Sequence, residues 1–254
     1  MLFAVIRLMP FIIPIYYFAS LKALFFFNSW WPFVFASIIA VNVIYLLLLR
    51  VKSKDKKVSA VLFYSVIYAI FGFIALLILE NQVFINLFLV FWSLVYFIYW
   101  EAVFHYFYQT QKRSILEMKN IILYLNILVV FVYSALIINL NVFWGLQWYW
   151  VLLTAFIVNA IILMNLLLFT DLSPAKNKLI IFTLDLILLQ LLVALFYLPI
   201  SFYVGAFVMA LCYYWLSSFF LLSTQNSLRP KKLIQYLAFG LVIGLFVILT
   251  SFWL

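Results

Sequence analysis

Charge is what this sequence has least of. Asp, Glu, Lys and Arg make up 8% of its residues, where a soluble domain carries roughly a quarter, so water cannot be the solvent for most of the surface. A soluble domain of 254 residues would need a polar shell several times larger than 15 basic and 6 acidic side chains provide, and no long polar stretch supplies one. No soluble domain is therefore expected, and 1–254 reads as a single transmembrane helical domain in which the bilayer is the solvent.

Other scarcities exclude particular chemistries. The one cysteine, Cys212, lies in an apolar run, which rules out an internal disulfide and a Cys-pair metal or redox motif. One histidine, His105, cannot make a two-His haem site or a His-rich metal centre, and no Gly-rich phosphate loop or nucleotide fingerprint occurs. No lysine stands near the middle of a late helix to form a retinal Schiff base. No cofactor and no metal is therefore expected. Five glycines and six prolines leave little material for the unwound segments on which many ion-coupled transporters rely. The net charge of +9 is spread over four short corners rather than one patch. Headgroup attraction of about 1 kcal/mol per Lys or Arg explains it without a nucleic-acid partner.

What the sequence has in abundance is apolar length. The apolar runs are 17 to 26 residues long without polar–apolar alternation, which suits transmembrane helices of about 20 residues and not strands of about 10. Taking charged and turn-forming clusters as boundaries, helices are predicted over 8–28, 33–49, 58–79, 83–108, 120–140, 146–169, 179–198, 200–222 and 233–254. The fold class is all-α, a polytopic transmembrane bundle of about nine helices in consecutive antiparallel hairpins. Arg7 interrupts the first apolar stretch and no small-x-small cleavage pattern follows, so the first helix is expected to stay in place. Pro10 and Pro14 predict that it is kinked or partly unwound.

The basic residues orient this bundle. Loops 50–57, 109–119, 170–178 and 223–232 hold 13 of the 15 Lys and Arg, and Arg7 falls on the same side. With nine spans only Lys22 falls near the other side, so the positive-inside rule gives a cell-membrane protein with its N-terminus cytosolic and its C-terminus external. Trp30, Trp31, Trp144, Trp148, Trp150 and Trp253 all fall at outer helix ends, where an indole faces both lipid and headgroups. Lys57, Lys119, Lys178 and Lys232 recur at intervals of 62, 59 and 54 residues. Either a hairpin duplication or stop-transfer charges at hairpin corners produce that spacing.

An ionisable group in hydrocarbon costs a few kcal/mol, which singles out Glu101, His105 and Asp185. Glu101 and His105 are four apart and share a helix face. Asp185 lies seven residues past Lys178, Asn126 has the same offset from Lys119, and the four are expected to line one cavity in the cytosolic half. They would form a proton- or cation-binding site, or else tie helices together. Asn42, Asn159 and Asn165 read as interhelical ties. Gly240 and Gly244, four apart, would let another helix approach closely, from within the bundle, from a membrane-protein partner or from a second copy.

No characterised family is recognisable in these motifs. Two function classes follow: a membrane scaffold or subunit that binds lipids or other membrane proteins, and a small proton- or cation-linked carrier or channel using Glu101, His105 and Asp185. An enzyme is the weaker third, a lipid-modifying one built on Glu101 and His105, since no Ser or Cys nucleophile is recognisably spaced from His105. The orientation has a direct test. A reporter fused after Leu254 is expected to read as external, and a cytosolic reading would overturn the count of nine.

Overall fold

The computed structural model describes residues 2–24, 30–52, 58–108, 112–145, 147–167, 174–198, 200–224 and 238. These residues form eight helices: α1 Leu2–Leu24, α2 Trp31–Lys52, α3 Val58–Ile78, α4 Gln82–Tyr108, α5 Lys112–Trp144, α6 Trp148–Leu167, α7 Pro174–Phe196 and α8 Phe202–Thr224. Seven are long and apolar enough to cross a membrane, whereas the apolar stretch of α3, Ala60–Leu76, is shorter. The ninth predicted helix, 233–254, lies outside the described residues, and with it Gly240, Gly244 and Trp253. The protein is a multi-pass integral membrane protein with an all-helical bundle fold.

The distribution of polarity has the same cause. Ile15, Phe33 and Leu179 are about two-thirds or more exposed, whereas Asn42, Asn126, Asn159, Asn165 and Asp185 are all at most 2% exposed. Lipid accepts apolar side chains on the outside and leaves polar ones no partner except the protein interior. Trp30, Trp31, Trp148 and Trp150 are exposed at or beside helix starts.

Three helices begin earlier than charge placement predicts. α1 starts at Leu2, so Arg7 lies inside it, and α5 and α7 take up Lys112 to Lys119 and Lys176 to Lys178. Polar residues end a membrane span, but Lys, Arg, Glu and Met are good helix formers and continue the helix beyond it. Pro174 occupies the first helical position, where its missing N–H costs nothing. α1 runs without a break through the buried Pro10 and Pro14, so no unwound segment occurs there.

The chain groups into two compact units, Met1–Leu125 and Asn126–Leu254. In the first, α1 packs on α2 and α4, α2 on α3, and α3 on α4, a closed ring of four. Directions follow from the facing pairs. Arg7 meets Glu101, Phe11 meets Phe97 and Lys22 meets Asn86, so α1 and α4 are antiparallel. Trp92, Tyr96 and Tyr99 of α4 reach back along α3 to Tyr68, Ser65 and Val61, again antiparallel. In the second unit α6 packs on α7 and α7 on α8. α5 joins α6 through Tyr133–Asn159 and Asn126–Ile162, and α8 through Asn126–Tyr213.

The first unit is held by aromatic donors aimed at α3 carbonyls. Tyr17 donates to Ala69 at 2.9 Å, Trp92 to Tyr68 at 3.2 Å and Tyr99 to Val61 at 2.9 Å. Tyr96 donates to Asn42 Oδ1 at 2.8 Å and lies 3.2 Å from the Ser65 carbonyl. Such interhelical bonds contribute about 0.6 kcal/mol each, and tilted or edge-on pairs such as Tyr45–Trp100 at 4.9 Å add about 0.5–1.5 kcal/mol.

Gly72 permits this approach. A Cβ there would overlap the Trp92 indole and the Tyr17 hydroxyl, and both rings are fixed by their hydrogen bonds. Gly72→Ala is expected to cost about 1–3 kcal/mol of stability by overpacking, read as a lower unfolding midpoint in detergent. Gly205→Ala, whose Cβ would meet the methyl ends of Ile138 at 3.0 Å and Ile200 at 3.7 Å, should cost clearly less. Equal midpoints for the two variants would contradict the packing described.

Candidate functional site

In the first unit Glu101 and His105 occupy one face of α4, as their spacing predicts, and a third residue completes the group. Arg7 Nη1 donates to Glu101 Oε1 at 2.6 Å, and His105 Nε2 lies 3.1 Å from the same oxygen. The guanidinium stands over the Phe104 ring at 4.8 Å and the Phe11 ring at 5.9 Å. This cation–π contact contributes about 0.5–2 kcal/mol. Arg7 is 40% exposed and Glu101 22%, so the pair sits at a partly wet margin rather than in a sealed core. Tyr45 comes in from α2 with its phenol near Glu101, Arg7 and Tyr108. Tyr45 Oη, Glu101 Oε2 and His105 Nδ1 are buried without a hydrogen-bond partner among the described residues. The carboxylate charge is thus matched by a guanidinium, which suits a latch between α1 and α4 better than the capture of a second cation.

The second unit holds Asn126 and Asp185 on two levels. α7 begins at Pro174, which makes Asp185 the twelfth of its 23 residues, about 16 Å from either end. It therefore stands at the centre of its helix, and about 10 Å past Lys178, where the apolar span Lys178–Phe196 begins. Asp185 is 1% exposed, and neither carboxylate oxygen has a hydrogen-bond partner among the described residues. Its polar neighbours are the Asn159 amide from α6 and Tyr133 from α5. The Tyr133 hydroxyl donates to Asn159 Oδ1, which leaves the Asn159 NH2 as the amide's end for the carboxylate; Nδ2 has no other partner among the described residues.

Asn126 lies seven residues before Tyr133 on α5, about two turns or 10 Å away. It is 1% exposed. Asn126 Nδ2 donates to the Ile162 carbonyl and to the Tyr213 hydroxyl, both at 3.1 Å, and Asn165 Nδ2 donates to Asn126 Oδ1 at 3.2 Å. Glu101 and His105 belong to one unit, Asn126 and Asp185 to the other.

Charge placement alone missed Arg7 as the partner of Glu101, although an arginine inside an apolar stretch demands one. It also missed Tyr133, whose only signal is its place two turns along α5 from Asn126. Among the described residues no three His, Cys, Asp or Glu side chains gather as a metal site would require. Searches of protein families, curated proteins and solved structures give no match to this chain. The class is accordingly defined by the fold: a multi-pass integral membrane protein with, among the described residues, paired charges in one unit and a buried carboxyl without a counter-charge in the other.

The latch has a stability consequence. Arg7→Gln is expected to lower stability by about 1–2 kcal/mol, between the values for exposed and buried ion pairs, because Glu101 loses its counter-charge. Adding Glu101→Gln should restore part of that loss, as measured by unfolding midpoints of the three variants. A double variant no more stable than Arg7→Gln would show that the pair does not hold α1 to α4.

Proposed function

We propose that this membrane protein is a small proton-linked carrier or channel whose coupling group is Asp185. The observation that supports the reading is a carboxyl at the centre of its helix, 1% exposed, with neither oxygen hydrogen-bonded among the described residues. An ionised carboxylate buried in an apolar span costs a few kcal/mol, and Asp185 has no counter-charge among the described residues to offset it. The Asn159 NH2 can hold the ionised form by hydrogen bonding, and the surrounding apolar side chains suit the neutral form. The two states are then close enough in free energy to exchange. One carboxylate with an amide N–H and a phenol offers too few oxygen ligands for a divalent ion, which takes six or more, so the proton is the fitting cargo.

A second reading, a scaffold or subunit for lipids or other membrane proteins, draws on the first unit, where Glu101 is matched by Arg7 and the tyrosines tie helices together. The setting proposed for either reading is the cell membrane, with the basic loops in the cytosol by the positive-inside rule.

A hydrophobic carbodiimide reacts with protonated carboxyls in apolar surroundings, so it separates the two readings without a known substrate. Mass spectrometry is expected to find Asp185 modified, more at low pH than at high, and Glu101 protected by Arg7. Vesicles holding Asp185→Asn should then lose the proton flux seen with the native chain. Unmodified Asp185 together with unchanged flux would sink the carrier reading and leave the scaffold.

A further inference from the structure

The buried polar side chains of the second unit are distributed on one side only. Among the described residues, Tyr133, Ser134 and Asn159 stand level with Asp185. Asn126, Asn165, Tyr213, Ser217 and Ser218 all lie toward the end where α5 and α7 begin and α6 and α8 finish. Toward the opposite end the buried positions are apolar: Ile138 on α5, Val151 and Ala155 on α6, Leu188 and Leu192 on α7, Ala206 on α8. α5 and α8 also come close there, with a Cβ on Gly205 placed only 3.0 Å from Ile138 Cδ1.

The polar side is not a scatter but a column along α6. Asn159, Ile162 and Asn165 follow one another at steps of three residues along α6, each step rising about 4.5 Å and turning about 60° around the axis. Asn159 accepts from Tyr133 and stands beside Asp185, Ile162 accepts from Asn126, and Asn165 donates to Asn126. Tyr213 of α8 joins at the same level as Asn126. A step of that length is bridged by a single water, which needs two to four polar partners. This end of the unit carries Lys176 and Lys178 within the first turns of α7.

We propose that Asp185 exchanges protons with one side of the membrane only, through the Asn126–Asn165–Tyr213 level and the α6 column, and that the apolar layer closes the other side. The inference rests on Asp185 as the proton-binding group and adds the direction from which it is loaded. In it Asn126, Asn165 and Tyr213 are positioning residues that order water between the basic end and the carboxyl. The sealed side follows from the same physics: among the described residues no buried polar side chain stands beyond that level to hold a water, and a dry layer of Leu, Ile, Val and Ala does not conduct protons.

Single cysteines in the full chain test the direction. With the native thiol removed as Cys212→Ser, Asn165→Cys and Leu192→Cys are exposed to a small charged methanethiosulfonate from either face of sealed vesicles. Asn165→Cys is expected to react from the face of the basic loops alone, and Leu192→Cys from neither. Reaction of Leu192→Cys as fast as Asn165→Cys, or no reaction of Asn165→Cys while Asp185 still takes up the carbodiimide, overturns the route and leaves the site standing. Resistance of Asp185 to the carbodiimide overturns the site itself. Tyr213→Phe supplies a milder variant should the cysteine chain misfold. Its proton flux is expected to fall by about tenfold, the worth of one hydrogen bond, with carbodiimide uptake at Asp185 unchanged, and undiminished flux would count against the column.

Discussion

Inside hydrocarbon a polar atom has no water to turn to, and every helix in this protein is arranged around that fact. Backbone groups meet it by helix formation, but side-chain N–H, O–H and carboxylate groups can meet it only by reaching another helix. The first unit does so with phenols and indoles. Tyr17, Trp92 and Tyr99 carry their donors to carbonyls of α3 and Tyr96 carries its donor to Asn42 of α2, and Gly72 leaves the space through which two of them pass. Large rings serve here because each buries much area while ending in one donor. Its one buried-side carboxylate obeys the same rule by pairing with Arg7, so the costly charge becomes a tie between α1 and α4.

The second unit applies the rule to its asparagines and leaves Asp185 as the exception. Asn126 is bonded to α6 and α8 and Asn159 to Tyr133, yet Asp185 has neutral neighbours and no counter-charge among the described residues. A carboxylate in that position can become neutral only by taking a proton, and its helix-centred depth places that event far from either end of α7. On the function proposed for this protein, Glu101 and Asp185 do different work: a charge cancelled by its partner stabilises, whereas a charge cancelled only by a proton responds to proton supply.

Much of this was legible in the sequence, and the limits are physical. The all-helical membrane fold follows from long apolar runs, and the hairpin order from short breaks such as 80–82, where α3 gives way to α4. Asp185, Glu101 and His105 declare themselves because ionisable groups are expensive in lipid. Helix starts were misplaced at Arg7, Lys112 and Pro174 because charge marks where a span ends and not where hydrogen bonding along the helix ends. That shift hid the central position of Asp185. Offsets to basic corners predict one depth for Asn126 and Asp185, yet the two stand on different levels, and an offset carries no azimuth. Only packing shows that Glu101 turns to Arg7 on α1, that Asn126 turns to Tyr213 on α8, and that Asp185 turns to Asn159 on α6.

The central claim is that Asp185, and not the Arg7-paired Glu101, is the carboxyl that exchanges a proton inside the bundle. Infrared difference spectra of the full-length protein in lipid, recorded between low and high pH, test it directly. The account predicts a protonated-carboxyl C=O band that appears at low pH, vanishes in Asp185→Asn and persists in Glu101→Gln. A band that survives Asp185→Asn, or one that disappears with Glu101→Gln, would contradict it.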